Sequence, residues 1–169
     1  MKKFELTSDF VTFLGKKLFR IRALIEFGDV KAGELGGYVE KEENLAQDGD
    51  AWVYGDAQVY GDAWVYGDAQ VYGNARVCGD AQVYGDAQVC GDAWVCGDAD
   101  YAYAHGFGSE YRTTTFFRLK DGGVGVRCGC FYGTLQEFRD KVRETHGKTK
   151  KAREYLMLAD LMELRFSEE

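Results

Sequence analysis

The middle of the chain alternates small or aliphatic residues with polar ones in a strict six-residue period. Residues 49–102 divide into nine hexads, which begin with GDAWVY, GDAQVY and GDAWVY and end with the degenerate GDADYA. In each regular hexad an alanine and a valine stand two positions apart, so both point to the same side of an extended strand. The series from Ala51 and Val53 to Val95 and Ala99 is therefore the predicted interior.

The remaining positions of each hexad predict a corner. Glycine tolerates backbone angles that other residues avoid, and a short aspartate accepts backbone hydrogen bonds at a turn. Short strands joined by such corners keep the register of the buried positions only if the chain winds into a coil. The small inward side chains fit a prism of three hexads per turn, in which residues 18 apart stack at ~4.8 Å. Val39 and Leu45 lie in phase with Ala51 and predict a partial turn before the hexads.

The flanking segments show the patterns of caps, which a coil with unpaired strand edges requires. Residues 10–14 and 18–27 alternate around Gly15-Lys16 and predict a β-hairpin. Residues 111–118 and 124–131 predict a second hairpin around Lys120-Asp-Gly-Gly. Thr134 opens a capping box with Glu137, which predicts one helix to about residue 144, and a second amphipathic helix covers about 150–164.

These elements predict an all-β-dominated chain with three units. They are an N-terminal β-hairpin cap at 1–38, a parallel β-helix of hexapeptide repeats with about three to four coils at 39–104, and a C-terminal α+β module at 105–169. The C-terminal module combines a β-hairpin with two helices.

Negative charge is concentrated in the repeats. The net charge of the chain is −7, whereas residues 42–100 carry 12 acidic side chains and 1 basic side chain. No apolar run approaches the ~20 residues of a membrane-spanning helix, and the opening MKKFELTSDF lacks the apolar stretch of a signal peptide. We therefore expect a cytoplasmic protein that does not bind membranes.

The five cysteines are an odd number without a secretory signal, which favours reduced thiols over a disulfide framework. The Cys-x-Cys pair at Cys128 and Cys130 offers two ligands where a zinc site normally has four. The sequence therefore predicts no metal site and no cofactor.

Stacking by 18 residues also predicts outward columns, namely Tyr54-Tyr72-Cys90, Tyr60-Cys78-Cys96 and Tyr66-Tyr84-Ala102. With two tryptophans beside them, they give the first coil an aromatic belt. Such a belt either stabilises the ladder by stacking or forms a binding surface, with a homo-oligomer (dimer or trimer) as the expected form of binding. The belt consists of Trp52, Tyr54, Tyr60, Trp64 and Tyr66.

The aspartates of the corners form acidic columns with a regular spacing. Three carboxylates per turn and a rise of ~4.8 Å give about one charge per ~1.6 Å of axis, close to the ~1.7 Å of duplex DNA. The columns either close the corners or imitate nucleic acid towards a nucleic-acid-binding protein, without direct nucleic-acid binding. The candidate binding residues among them are Asp56, Asp62, Asp80 and Asp92.

The segments LFRIRALIEFGDVKAGELGGYVEKEENLAQDGDAWVYGDA and GCFYGTLQEFRDKV resemble a family of hexapeptide-repeat proteins from bacterial genomes and prophages. Members are often labelled transferases or polymer-forming proteins. The resemblance implies a left-handed β-helix. Acyltransferases of this type use coenzyme A and a histidine base, and His105 would be that base if the chain were an enzyme. The hexads, however, lack the inserted loops that usually build the substrate pocket of those enzymes.

The sequence thus favours a non-catalytic interaction protein of prophage type, a rigid acidic rod that binds a host protein, for example as an inhibitor of a host defence system. The alternatives are a nucleic-acid mimic that acts through the aspartate columns and a hexapeptide-type acyltransferase that uses coenzyme A.

Overall fold

The computed structural model describes residues 1–167, apart from the side chain of Ser109. The N-terminal cap is an antiparallel hairpin followed by a third strand, which together confirm the first predicted hairpin. Eight two-residue strands follow, one from each of the first eight hexads. The strands are β1 (Phe4–Phe13), β2 (Lys16–Ala23), β3 (Leu35–Val39), β4 (Trp52–Val53), β5 (Gln58–Val59), β6 (Trp64–Val65), β7 (Gln70–Val71), β8 (Arg76–Val77), β9 (Gln82–Val83), β10 (Gln88–Val89) and β11 (Trp94–Val95).

The eight short strands wind into a β-solenoid of about three turns. Strands 18 residues apart pair in parallel and in register, as Val53 does with Val71 and Val71 with Val89. Three faces result, which we call face 1 (β3, β5, β8 and β11), face 2 (β4, β7 and β10) and face 3 (β6 and β9). Val39 pairs with Val59 and Leu45 bridges to Val65, so a partial turn precedes the hexads as predicted. Its phase differs from the prediction, because both residues lie opposite valines rather than opposite Ala57 and Ala63. The left-handed sense of the coil stays a prediction of the resemblance.

The interior of the solenoid is the predicted series of alanines and valines. From Ala51 to Val95 each inward alanine and valine is at most 2% exposed. The corner glycines are required by their backbone, since Gly49 has a φ of 68° and an added Cβ would lie 2.5 Å from the carbonyl oxygen of Gly67. Ala99, which the sequence placed inside, is exposed, because residues Asp98–Asp100 form a short 3₁₀-helix that ends the coil.

One edge of the solenoid presents backbone carbonyls, and buried donors from the N-terminal region satisfy them. The ammonium group of Lys3, a residue only 1% exposed, donates to the carbonyl oxygen of Ala51 at 2.8 Å. The amide Nδ2 of Asn44, a residue with no exposed surface, donates to the carbonyl oxygens of Ala63 (2.8 Å) and Gly61 (3.1 Å). These side chains replace the strand that a further coil would have supplied.

The opposite edge presents backbone N–H groups, and side-chain acceptors satisfy them. The N–H of Gln82 donates to the carboxylate of Asp98 at 2.9 Å, where a ninth coiled hexad would have offered a carbonyl. The N–H of Gln88 donates to the hydroxyl of Thr115 at 3.0 Å, and Thr115 is fully buried. The C-terminal module is therefore joined to the solenoid by hydrogen bonds that the coil itself leaves unmade.

The C-terminal module is a four-stranded antiparallel sheet covered by two helices. The predicted second hairpin and both helices are confirmed, and the capping box is present, with Thr134 accepting from the N–H of Glu137 at 3.2 Å. The helices pack on the sheet through Phe116 and Phe138. The elements are β12 (Tyr101–Ala104), β13 (Thr114–Arg118), β14 (Val124–Cys128), β15 (Phe131–Thr134), α1 (Leu135–His146) and α2 (Lys150–Phe166).

The expectation of reduced thiols is corrected at one pair. Cys78 and Cys96 are disulfide-bonded, with their Cα atoms 4.3 Å apart on neighbouring coils of face 1. The cause is the repeat itself, because two residues 18 positions apart in the sequence become direct neighbours on adjacent coils. The free cysteines are Cys90, Cys128 and Cys130. Among the described residues, no helix has both the length and the apolar character needed to cross a membrane.

Candidate functional site

The three faces of the solenoid differ in how far the caps cover them. The hexads at residues 49–54 and 61–66 have the same sequence, GDAWVY. Nevertheless Trp52 on face 2 has no exposed surface, whereas Trp64 on face 3 is 41% exposed. A tyrosine on each of two faces shows the same contrast, since Tyr60 on face 1 is 7% exposed and Tyr84 on face 3 is 41% exposed. Face 3 is thus the face that keeps its aromatic side chains in contact with solvent.

Two members of the predicted aromatic belt are buried under the N-terminal cap, so the belt is not one exposed surface. The ring of Trp52 packs edge-on against Phe27 (5.2 Å between centroids) and Phe4 (6.1 Å). Tyr60 packs against Phe13, from the tip of the β1–β2 hairpin, at 5.7 Å. These contacts attach the cap to faces 1 and 2.

Tyr54 belongs to a half-buried column that the C-terminal module partly covers. Its ring meets Tyr72 edge-on at 6.5 Å, and the guanidinium of Arg127 lies over Tyr72 at 5.6 Å. Burial, followed by the neighbouring thiol of Cys90, raises the pKa of the Tyr72 phenol far above its usual range. The predicted column Tyr54-Tyr72-Cys90 is thus present as a packed ladder.

On face 3 the aromatic rings form a continuous stack. Trp64 stacks on Tyr66 with 4.0 Å between centroids, and Tyr66 stacks on Tyr84 at 5.3 Å. Tyr101 and Tyr103 of β12 then meet Tyr84 edge-on at 6.4 and 6.1 Å. They take the place predicted for Ala102, which lies instead against the core of the C-terminal module. We call the surface of Trp64, Tyr66, Gln82 and Tyr84 the open face.

The phenols beside the open face remain hydrogen-bond donors well above neutral pH. Burial raises the pKa of Tyr101 far above its usual range, and desolvation followed by the nearby Tyr84 raises the pKa of Tyr66. The hydroxyl of Tyr66 donates to the Oε1 of Gln82 at 3.3 Å. Arg165 of α2 lines the same hollow as Tyr84 and Tyr101, so a cation lies at one end of the open face.

The eight corner aspartates are all exposed, and four of them border the open face. Asp62 and Asp80 precede its strands, and Asp68 and Asp86 follow them. Asp62 is paired with the ammonium of Lys41 at 3.1 Å. Asp68, Asp80 and Asp86 form no ion pair within residues 1–167, although Asp68 accepts the N–H of Asp50 at 3.4 Å and acts on the charge of Lys3. Negative charge therefore lies on both sides of the aromatic stack.

The other two candidate aspartates, Asp56 and Asp92, lie at a different corner, between faces 1 and 2. Asp56 is 3.8 Å from the guanidinium of Arg20, which belongs to the N-terminal cap. The structure therefore separates the four candidates into two pairs on different sides of the rod. Within the described part of the chain, no three His, Cys, Asp or Glu side chains are grouped as a metal site.

His105 follows β12 and is exposed. Its Nδ1 lies 2.8 Å from the hydroxyl of Thr113. The short strands of the solenoid follow one another at intervals of six residues from β4 to β11, so the corners between them hold no inserted loop. A base for acyl transfer must lie within hydrogen-bond reach of the group that it deprotonates. The contact with Thr113 holds His105 within the C-terminal module, in the segment between β12 and β13.

A protein-family model described as YdcK Beta solenoid repeat matches residues 69–85, which span β7 to β9. No curated protein matches the chain. The matched segment contributes one strand to each face and so covers one full turn of the coil. The repeat and the parallel ladders agree, and the chain is a β-solenoid protein.

Proposed function

We propose that this chain is a non-catalytic interaction protein, a rigid acidic rod that binds a partner protein through its open face. The observation that carries the proposal is the contrast between two identical hexads. Trp52 is buried beneath the N-terminal cap, whereas Trp64 in the same local sequence is 41% exposed and stacked on Tyr66. Aromatic side chains that remain exposed beside a packed core are typical of interaction surfaces.

The charges around the open face indicate a basic partner. Asp68, Asp80 and Asp86 place exposed carboxylates on both sides of the rings, and none of the three forms an ion pair within residues 1–167. Aromatic faces attract guanidinium and ammonium groups, and flanking carboxylates add charge-assisted hydrogen bonds. Arginine-rich and lysine-rich surfaces occur on nucleic-acid-binding proteins, so the acidic columns favour a partner of that class. The resemblance to prophage proteins would make this partner a host protein.

The rigidity of the rod supports recognition without rearrangement. The open face is carried by β6 and β9, whose valines are fully buried and paired in register, Val65 with Val83. A surface built on such a ladder loses little conformational entropy on binding. The sequence also predicted that the exposed rings could bind a second copy of this chain. Sedimentation of the purified protein would measure this self-association.

Affinity capture from a bacterial lysate tests the proposal with a matched pair of variants. Trp64→Ser with Tyr84→Ser removes the exposed rings, while Tyr111→Ser removes a tyrosine that is 70% exposed elsewhere. The wild type and Tyr111→Ser should capture the same specific protein, whereas the double variant should not. Capture by the wild type should weaken as added salt screens the carboxylates. Equal capture by the double variant, with its fold intact by circular dichroism, would contradict the proposal.

A further inference from the structure

A cleft on face 1 lies between the two caps and is distinct from the open face. Its floor is the ladder Gln58, Arg76 and Trp94, whose backbones pair in register on β5, β8 and β11. One wall is the corner that carries Asp56 and Asp92. The cleft encloses about 310 Å³, which is within the range of small-molecule sites.

The C-terminal module supplies the opposite wall. The turn between β13 and β14 approaches the last coil, where Leu119 bridges to Ala93 and the N–H of Lys120 donates to the carbonyl oxygen of Asp92 at 2.9 Å. The exposed side chain of Lys120 lines the cleft and has no ion pair among residues 1–167. These backbone contacts hold the turn that carries Lys120 beside the floor, so the cleft has a lysine in its wall in addition to Arg76 in its floor.

Arg76 is held in place by rings rather than by carboxylates. Its guanidinium lies over Phe13 of the N-terminal hairpin at 4.1 Å and 5.7 Å from the ring of Trp94. Stacking fixes the plane of the guanidinium but leaves its N–H donors at the edge unused. Within the described chain, no carboxylate forms an ion pair with it. A stacked arginine with free edges is suited to bind a carboxylate through two parallel hydrogen bonds.

Two further polar atoms of the floor lack partners. The indole Nε1 of Trp94 and the Oε1 of Gln58 are buried, and neither has a hydrogen-bond partner among the described residues. A buried donor or acceptor without a partner costs free energy, so these two atoms would gain from a ligand that supplies the missing partner. Trp94 requires an acceptor and Gln58 requires a donor, at opposite ends of the same ladder.

We propose that this cleft binds a free α-amino acid. The carboxylate of the ligand would be held by Arg76, by Lys120 and by the indole N–H of Trp94. The ammonium group would be held by the carboxylate of Asp92, which lies at the same end of the ladder as Trp94 and Lys120. Asp56 already lies 3.8 Å from the guanidinium of Arg20, whereas Asp92 has no ion pair among residues 1–167. The cleft thus offers the carboxylate of Asp92 beside the two cations Arg76 and Lys120, and this mixture of charges matches a zwitterion.

Thermal-shift measurements of the full chain with each common L-amino acid at millimolar concentration test this inference. At least one amino acid should raise the melting temperature, and calorimetry should give a saturable Kd. Acetate and methylamine, which each carry one of the two charged groups, should bind more weakly. A dipeptide with the same amino acid at its C-terminus keeps the carboxylate but has an amide in place of the α-ammonium group. It should bind more weakly than the free amino acid, whereas equal binding would mean that the cleft takes a peptide end.

Variants of the floor and wall then locate the site. Arg76→Met should weaken binding by about ten- to a hundredfold, because it removes a charge-assisted pair, whereas Trp94→Phe should weaken it about three- to tenfold. Arg153→Met, on the exposed surface of α2, is the matched control and should bind like the wild type. Lys120→Met, on an exposed turn, serves if Arg76→Met does not fold. Absence of a shift with every amino acid, or unchanged affinity in the folded floor variants, would overturn the assignment.

Discussion

Replacing Asn44 with alanine tests whether side chains close the carbonyl edge of the solenoid. Asn44 is fully buried, and its Nδ2 donates to the carbonyl oxygens of Ala63 and Gly61 while its Oδ1 accepts the N–H of Lys41 at 2.9 Å. The bond to Ala63 is buried, whereas the groups of Gly61 and Lys41 are part-buried. An unpaired buried polar group costs about 1–3 kcal/mol, so we expect a loss of about 3 kcal/mol in the free energy of unfolding.

Thermal and urea unfolding measure this loss. For a chain of this length about 3 kcal/mol corresponds to a fall of roughly 6–12 °C in Tm. Asn74→Ala is the matched control, since Asn74 is an exposed corner residue, and its effect should stay within about 0.5 kcal/mol. Asn44→Asp keeps the shape of the side chain but turns its donor into an acceptor, so it should destabilise at least as much as alanine. Wild-type stability in either Asn44 variant would refute the role of this residue as a donor to the edge.

Two further predictions concern the fold. Burial lowers the pKa of Lys3 from 10.5 to about 8. Between these pH values the unfolded chain therefore binds more protons than the folded chain. The free energy of unfolding should rise by about 2 kcal/mol from pH 8 to pH 10 as a result. Denaturant titrations would show the rise, and Lys3→Met should remove it. Val71 is fully buried between Val53 and Val89. Changing it to Asp should abolish cooperative folding, because an unpaired buried charge costs several kcal/mol of a total free energy of unfolding of ~5–15 kcal/mol. A melt at the wild-type temperature would contradict the assigned interior.

The elements that follow from local rules were predictable from the sequence. The period of six residues, with alanine and valine two apart, determines both the interior and the register of 18, since a shift by one residue would expose every valine. The capping box at Thr134 and Glu137 is equally local, and both hydrogen bonds are present. Ala99 was placed wrongly because its hexad keeps Gly-Asp-Ala but lacks the valine, and the coil ends where that valine is missing.

The candidate site could be predicted only in part, because its exposure is decided by tertiary packing. Trp52 and Trp64 occupy identical hexads, so no local signal separates the buried ring from the exposed one. The difference arises from Phe27 and Phe4, which the N-terminal cap brings against Trp52 alone. The cleft at Arg76 was equally hidden, since it needs Lys120 from a turn 44 positions along the chain.

The polarity of the coil explains why binding is expected on its side rather than at its ends. A parallel solenoid has a carbonyl edge and an N–H edge, and each attracts the opposite kind of cap. Donors from Lys3 and Asn44 occupy the first edge, and acceptors from Asp98 and Thr115 occupy the second. End-to-end stacking of copies would have to displace these buried hydrogen bonds, at a cost of about 1–3 kcal/mol for each group left unpaired. The open face requires no such displacement, because its rings and flanking carboxylates already lie in solvent.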